Sequence, residues 1–247
     1  MKSNYARYWD MFYRKKKEAG ELPLWDVEPE RSAGVDAPAF FAHIQNEWGL
    51  LDLGCGFGKE ALWFVEHFPQ VVATDVAPTV IAQAEEMHPH PRVAYGVSDS
   101  SAQGEGDQIR AAHGPLNVYI RAFLHQLTPE AQTVAFENLH AILEGSSAVA
   151  CITEVAPGIR EYAAAHGGFQ AMPRGLQEVF LSHLPPRGVS EERMLELAEG
   201  ASLHVLQLES TFLHTRLAFA DGSPVEIPAT RCILRASSSN QAVKMRL

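Results

Sequence analysis

Between residues 52 and 58 the chain reads Asp52-Leu53-Gly54-Cys55-Gly56-Phe57-Gly58, an acid followed by a glycine at every second position. The apolar pair Leu50-Leu51 precedes it and Ala61-Leu62-Trp63-Phe64-Val65 follows, so the stretch reads as strand, tight turn and helix start. Glycine belongs where a backbone turns through positive φ and passes close to a ligand, and the unpaired amides of a helix start can hydrogen-bond that ligand. Asp75 ends a second apolar run, Val71-Val72-Ala73-Thr74, where a carboxylate can accept hydrogen bonds from ribose hydroxyls. Arg121 and His125 follow a later run, 116–120, and Glu154 closes the run 148–153. His125 is the first choice for a general base because imidazole titrates near neutrality, although a packing or cofactor-positioning role competes with that one. Glu154 could instead orient an amine or a hydroxyl.

The glycine stretch alone admits two cofactors. Gly56-Phe57-Gly58-Lys59-Glu60-Ala61 fits the Gly-x-Gly-x-x-Ala pattern of dinucleotide-binding turns, which keeps an NAD-dependent oxidoreductase open. The longer pattern of Asp52 ahead of the glycines, Asp75, Val97-Ser98-Asp99 and Val118-Tyr119-Ile120-Arg121 resembles the class I S-adenosylmethionine-dependent methyltransferases. In that family the glycine loop lies against the methionine part of the cofactor, and an acid placed like Asp99 commonly binds the adenine amino group. The resemblance implies S-adenosylmethionine as cofactor and S-adenosylhomocysteine as product. It further implies contacts from Asp52, Gly54, Cys55, Gly56, Asp75, Val76, Ser98, Asp99, Ser100 and Arg121. A second resemblance rests on Trp9-Asp10, Tyr13, Leu24-Trp25-Asp26 and Pro29, and on Arg121-x-Phe123-Leu124-His125 followed by Leu127-Thr128-Pro129-Glu130. It is to the thiopurine methyltransferase-like branch, which methylates small, polarizable acceptors. It implies that the N-terminal segment folds over the cofactor, with Trp25 in contact. A member of the fold that binds S-adenosylmethionine without methylating anything is the remaining alternative.

Composition narrows the partners. A net charge of −10 weighs against nucleic acid, whose phosphates call for clustered Lys and Arg. The basic run Arg14-Lys15-Lys16-Lys17 reads as the solvated end of a first helix, where it complements the helix dipole. The Asn/Asp-Pro-Pro-Tyr/Phe signature of base-modifying methyltransferases is missing after the fourth strand, since Asn117 precedes Val118. No apolar run is long enough to cross a bilayer, and the first residues lack the features of a signal peptide. The expectation is a cytoplasmic enzyme acting on a small molecule or short peptide, without nucleic-acid or membrane partners. Cys55, Cys151 and Cys232 are far apart, and the prolines around His88 and His90 favour a plain loop, so no metal is expected.

These residues need a scaffold, and the pattern predicts an α/β fold. It is a doubly wound, mostly parallel seven-stranded sheet closed by a C-terminal antiparallel hairpin, forming one domain over 1–247. Helical spacing of Tyr5, Trp9 and Tyr13 predicts a helix over 4–18, whose rings would touch substrate as part of a cap segment, 1–35. Asp36-Ala37-Pro38 reads as an N-cap with proline inside a helix reaching about 47. Strands are predicted from 49, over 70–75, 92–97, 116–121 and 148–153, with helices over 58–67, 78–87, 108–112 and 128–143 between them. Residues 156–188 lose this alternation, a further helix is predicted from 190 to about 200, and 156–200 together form a predicted substrate cover containing His183, a candidate substrate contact; His214 is a lesser candidate. Strands over 202–219 and 225–234 flank the hairpin signal Asp221-Gly222.

Overall fold

The computed structural model describes residues 4–181 and 187–237. Its strands are β1 (Gly49–Leu53), β2 (Val71–Asp75), β3 (Val93–Val97), β4 (Leu116–Arg121), β5 (Val149–Val155), β6 (Leu203–Ala218) and β7 (Pro224–Ala236). They form one sheet in the order β3-β2-β1-β4-β5-β7-β6. β1 to β5 pair in parallel, while β7 runs antiparallel to both β5 and β6. This is the doubly wound arrangement with a terminal hairpin that the strand pattern predicts.

Alternation along the strands explains the layers. Leu50, Val71, Ala73, Tyr119, Val149 and Cys151 pack to one face, with α2 (Ala33–Phe41), α3 (Lys59–Phe64) and Ile81 of α4 (Pro78–Met87). Leu51, Val72, Val118, Ile120, Ala150 and Ile152 pack to the other, under α5 (Glu105–His113), α6 (Pro129–Leu143) and α9 (Glu191–Gly200). A strand buried on both faces must be apolar throughout, which is why β1, β4 and β5 read as continuous apolar runs. Helix starts follow their local signals: Thr128 accepts from the Ala131 amide and Ser190 from that of Arg193.

Asp36 departs from expectation. It lies inside α2, whose N-cap position is Ser32 and which ends at Phe41 rather than near 47. Its carboxylate is buried and accepts from Tyr119 Oη at 2.7 Å, Thr153 Oγ1 at 2.9 Å and Arg231 Nε at 2.8 Å. A carboxylate drawn into an ion pair across 195 residues of sequence cannot also cap its own helix, and no local pattern announces such a partner.

Two further features prepare the site. α1 (Asn4–Ala19) docks across the start of α4, where Asp10 accepts from the Thr79 amide at 2.9 Å and Tyr13 packs with Phe57, Ala77 and Val80. The terminal hairpin also outruns its neighbour. Val155, the last residue of β5, is paired with Ala229, so 224–228 of β7 project past the carboxyl edge of the parallel strands. A satellite core of Val155, Met172, Leu176, Leu213, Val225 and Ile227 fills the space beneath that overhang. It draws in α8 (Arg174–Phe180) from the segment after β5. Among the described residues no helix is long and apolar enough to cross a membrane.

Candidate active site

Ligands of open α/β sheets bind beyond the carboxyl ends of the strands, and a deep cleft of this protein lies there. The chain leaves β1 through Gly54, Gly56 and Gly58 at φ of +83°, +52° and +79°, values that side chains with a Cβ resist. The turn is held down by the Gly54 and Cys55 amides, which both donate to the Thr74 carbonyl, and by the Gly56 amide, which donates to Asp75 Oδ2 at 3.3 Å. Asp75 Oδ1 accepts from the Ala77 amide at 2.9 Å. Ala122 is a non-glycine residue at φ +53°, a strained turn that swings the chain from β4 into the short 124–126 helical turn carrying His125 and Gln126.

The cleft encloses about 1080 Å³ of space free of protein atoms. Every residue expected to meet the cofactor borders it: Trp25, Asp52, Gly54, Cys55, Gly56, Asp75, Val76, Ser98, Asp99, Ser100 and Arg121. So do Tyr5, Trp9 and Tyr13, which were expected at the substrate. Tyr5 Oη accepts from the Thr128 amide at 2.9 Å, pinning α1 to the start of α6. Trp25 stacks on Phe12 with ring centroids 5.4 Å apart and meets Trp9 edge-on, so loop and helix form one aromatic wall. Asp99 Oδ1 accepts from the amide and hydroxyl of Ser101, which shapes the turn after β3.

The floor of the cleft is acidic. Burial pushes the Asp52 carboxyl well above the usual range, and the nearby Glu60 and Asp75 charges push it further. Asp52 Oδ2 is buried without a hydrogen-bond partner among the described residues. Burial likewise raises Glu60, which accepts from Ser32 Oγ at 2.6 Å, and raises Asp75 to about 6 against the hydrogen bonds of its amide neighbours. Such a floor suits a ligand bearing positive charge and N–H or O–H donors, and it disfavours a diphosphate.

A second, mostly apolar pocket of about 590 Å³ adjoins the first and shares Trp9, Trp25, Arg121, Ala122 and Gln126 with it. His125 faces this pocket rather than the cofactor cleft. Its Nδ1 is hydrogen-bonded to Glu154 Oε1. Glu154, expected to orient an acceptor directly, is placed otherwise. It is fully buried within β5, and its oxygens accept from the Phe123, Leu124 and Val155 amides as well as meeting His125. No face of it is left for a ligand, so its work is to hold the imidazole. His214 also lines this pocket, 3.0 Å from Glu226, beside a register shift that interrupts the hairpin between His214 and Ala218. His183 lies outside the described residues.

Sequence reasoning missed several neighbours. Glu60 borders the cleft because the first turn of α3 faces back toward β1, which its place two residues after Gly58 could have suggested. Leu24 from the loop after α1, Val179 of α8, Leu213 and Thr215 of β6 and Ile227 of β7 line the second pocket, where the terminal hairpin runs past β5. Gln126 touches both spaces, and it sits inside the pattern 121–130, which could have pointed to it. Among the described residues no group of three His, Cys, Asp or Glu side chains is arranged to hold a metal ion.

Comparison with known proteins agrees with this geometry. Residues 50–145 match the family model described as a methyltransferase domain, which covers β1 to the end of α6. Among curated proteins nothing matches. The crystal structure of an S-adenosylmethionine-dependent methyltransferase from Anabaena variabilis superposes with a TM-score of 0.88 at 21% identity, covering 95% of this chain and 96% of that one. A protein described through the conversion of a disulfide bond into a thioacetal group during echinomycin biosynthesis gives 0.65 at 18%, covering 98% and 97%. Magnesium protoporphyrin IX methyltransferase from Synechocystis, with bound S-adenosylhomocysteine, gives 0.56 at 13%, covering 94% and 97%.

Proposed function

We propose that this chain is an S-adenosylmethionine-dependent methyltransferase, as the methyltransferase-domain match over residues 50–145 supports, and that it methylates an O, N or S atom of a small molecule or short peptide held in the pocket beside His125. The observation that carries the reading is the acidic floor of the glycine-turn cleft, with Asp52 Oδ2 left without a partner among the described residues. S-Adenosylmethionine is cationic at sulfur and at its amino group, whereas NAD would bring a diphosphate onto Asp52, Glu60 and Asp75. The bound cofactor supplies an electrophilic methyl group on a sulfonium.

This chain's own residues do the rest. Asp75 accepts from the ribose hydroxyls, Asp99 and Ser98 serve the adenine side, and Arg121 pairs with the carboxylate of the amino-acid end. Asp52 and Glu60 face its positive charges. Trp9, Tyr13 and Trp25, from the cap segment 1–35, exclude water and offer ring faces to a methylsulfonium. Of the segment expected to cover the acceptor, Leu176 and Val179 of α8 border the pocket, whereas α9 packs on the sheet. His125 takes the acceptor proton at Nε2, because Glu154 engages Nδ1 and thereby sets the tautomer. Holding acceptor and methyl donor in line is worth about 7–11 kcal/mol, so positioning carries more of the rate than proton transfer does. The N-terminal Trp9, Trp25 and Pro29 pattern and the sequence around His125 support placing the protein near the thiopurine methyltransferase-like branch.

The test is thermal unfolding with S-adenosylhomocysteine, S-adenosylmethionine and NAD in parallel. At 100 times its dissociation constant a ligand adds about 2.7 kcal/mol to native stability, so the first two should raise the midpoint and NAD should not. Stabilisation by NAD alone would overturn the assignment. Once an acceptor is found with labelled methyl groups, His125→Ala should lower the transfer rate by more than about tenfold between about pH 6 and 9. A smaller loss removes the base role and leaves His125 as a wall of the pocket.

A further inference from the structure

The pocket beside His125 shares walls with two other spaces. Trp9, Trp25 and Gln126 separate it from the cofactor cleft on one side. The same three residues, with Val179, also border a groove of about 1520 Å³ that runs to the surface between α1 and α8. Cleft, pocket and groove therefore meet at these residues, with Val179 standing between pocket and groove.

The groove has its own chemistry. Its wall includes Leu181 and Met11, which are 76% and 55% exposed. Apolar side chains grouped at the mouth of a pocket mark a surface meant to be covered. The rim carries Lys15, Lys16 and Arg174 against Glu21 and Glu178, three cations to two carboxylates, in a chain whose net charge is −10. Lys16 Nζ lies 2.8 Å from Glu21 and 3.7 Å from Glu178, and Arg174 Nε lies 3.1 Å from Glu178. Exposed Lys15 has no ion pair among the described residues. At the inner end, Gln126 Oε1 is buried without a hydrogen-bond partner among the described residues, and a buried acceptor left so is costly until a donor reaches it.

We propose that the acceptor is an elongated amphipathic molecule. Its proton-bearing head lies between Gln126 and His125, its apolar body runs along Trp25, Leu176 and Val179, and its anionic end sits at the rim beside Lys15 and Arg174. This rests on the methyltransferase reading above and specifies the class of molecule that reading requires. Decanoate and decan-1-ol share a chain and differ in charge, which makes them suitable probes.

The experiment measures their binding by titration calorimetry, with S-adenosylhomocysteine titrated separately, for the wild type, Val179→Trp and the double variant K15E/R174E. Val179→Trp fills the space where pocket and groove meet and should weaken both probes by about tenfold or more. The charge reversal should weaken decanoate severalfold, more at low salt, and leave decan-1-ol unchanged. S-Adenosylhomocysteine should bind all three proteins within about twofold, which also reports that the variants fold. Unchanged probe binding in Val179→Trp, or equal affinity for the two probes in the wild type, overturns the proposal while the methyltransferase reading stands. Failure of the wild type to bind S-adenosylhomocysteine overturns that reading and this one with it.

Discussion

Arg231→Met is expected to destabilise the fold by about 3–5 kcal/mol and to lower the thermal midpoint by about 10 °C. The guanidinium is nearly enclosed, with 9% of its side chain accessible, and it serves four partners. Nε donates to Asp36 at 2.8 Å, Nη1 to Glu209 at 2.7 Å, and Nη2 to the Val35 carbonyl and Thr211 Oγ1, both at 3.2 Å. Methionine preserves much of the volume but leaves the Asp36 carboxylate buried with only two hydroxyl donors, from Tyr119 and Thr153. An uncompensated buried charge is the costly outcome, so removing the charge from both partners should be much milder. Asp36→Leu combined with Arg231→Met should recover most of the loss in chemical denaturation, because the two substitutions act on one pair. Equal destabilisation by the single and double variants would show that packing rather than charge dominates. The effect should reach the site as well. Asp36 ties α2 to β4, β5 and β7, and α2 follows the loop that brings Trp25 and Asp26 to the cleft.

On the proposed contact with two ribose hydroxyls, Asp75→Asn is expected to weaken S-adenosylhomocysteine binding by about 100-fold, since hydrogen bonds to a charged acceptor contribute about 1.5–3 kcal/mol each. The same carboxyl sets a pH dependence. Burial raises it from the ordinary 3.8 to about 6 in the protein without cofactor. Its ionised form is the acceptor, so wild-type affinity should be level above about pH 7 and fall about tenfold per unit as pH drops below about 6. The protein alone should respond with the opposite sign. A carboxyl whose native value is raised contributes stability fully below its unfolded value of 3.8, and loses it as pH rises through about 6. The stabilisation conferred by ligand should therefore grow between about pH 5 and 7.5, measured as the shift in unfolding midpoint. In Asp75→Asn the part of that slope centred near 6 should vanish, while any contributed by Asp52 and Glu60 stays. Binding within about threefold of wild type, or an unchanged slope, would show that Asp75 does not meet the ribose.

Much of this was legible in the chain because the signals are local. Alternating glycines after an acid specify a turn with positive φ whatever surrounds them, and Gly54, Gly56 and Gly58 adopt it. Prolines inside helix starts placed α4 and α6 at their observed first residues. The apolar runs fixed β1, β2 and β4, and with them the edge at which Asp75 and Arg121 stand. Asp221-Gly222 announced the terminal hairpin.

What only the tertiary structure decided depends on register and distance. Asp36 read as a helix cap because its neighbours suggest one, and it became an ion-pair partner because β7 brings Arg231 against it from 195 residues away. Glu154 reads as a group open to substrate because the apolar run ends just before it. The strand in fact continues to Val155, burying the carboxylate under three amides and the His125 ring. The pocket beside His125 could not be foreseen, for its wall is made where β7 runs past the end of β5 and carries Ile227 over the edge. Residue type and spacing along one segment determine turns, caps and strand ends. Which side chains share a cavity is determined by how far one strand overhangs another, a quantity no single segment contains.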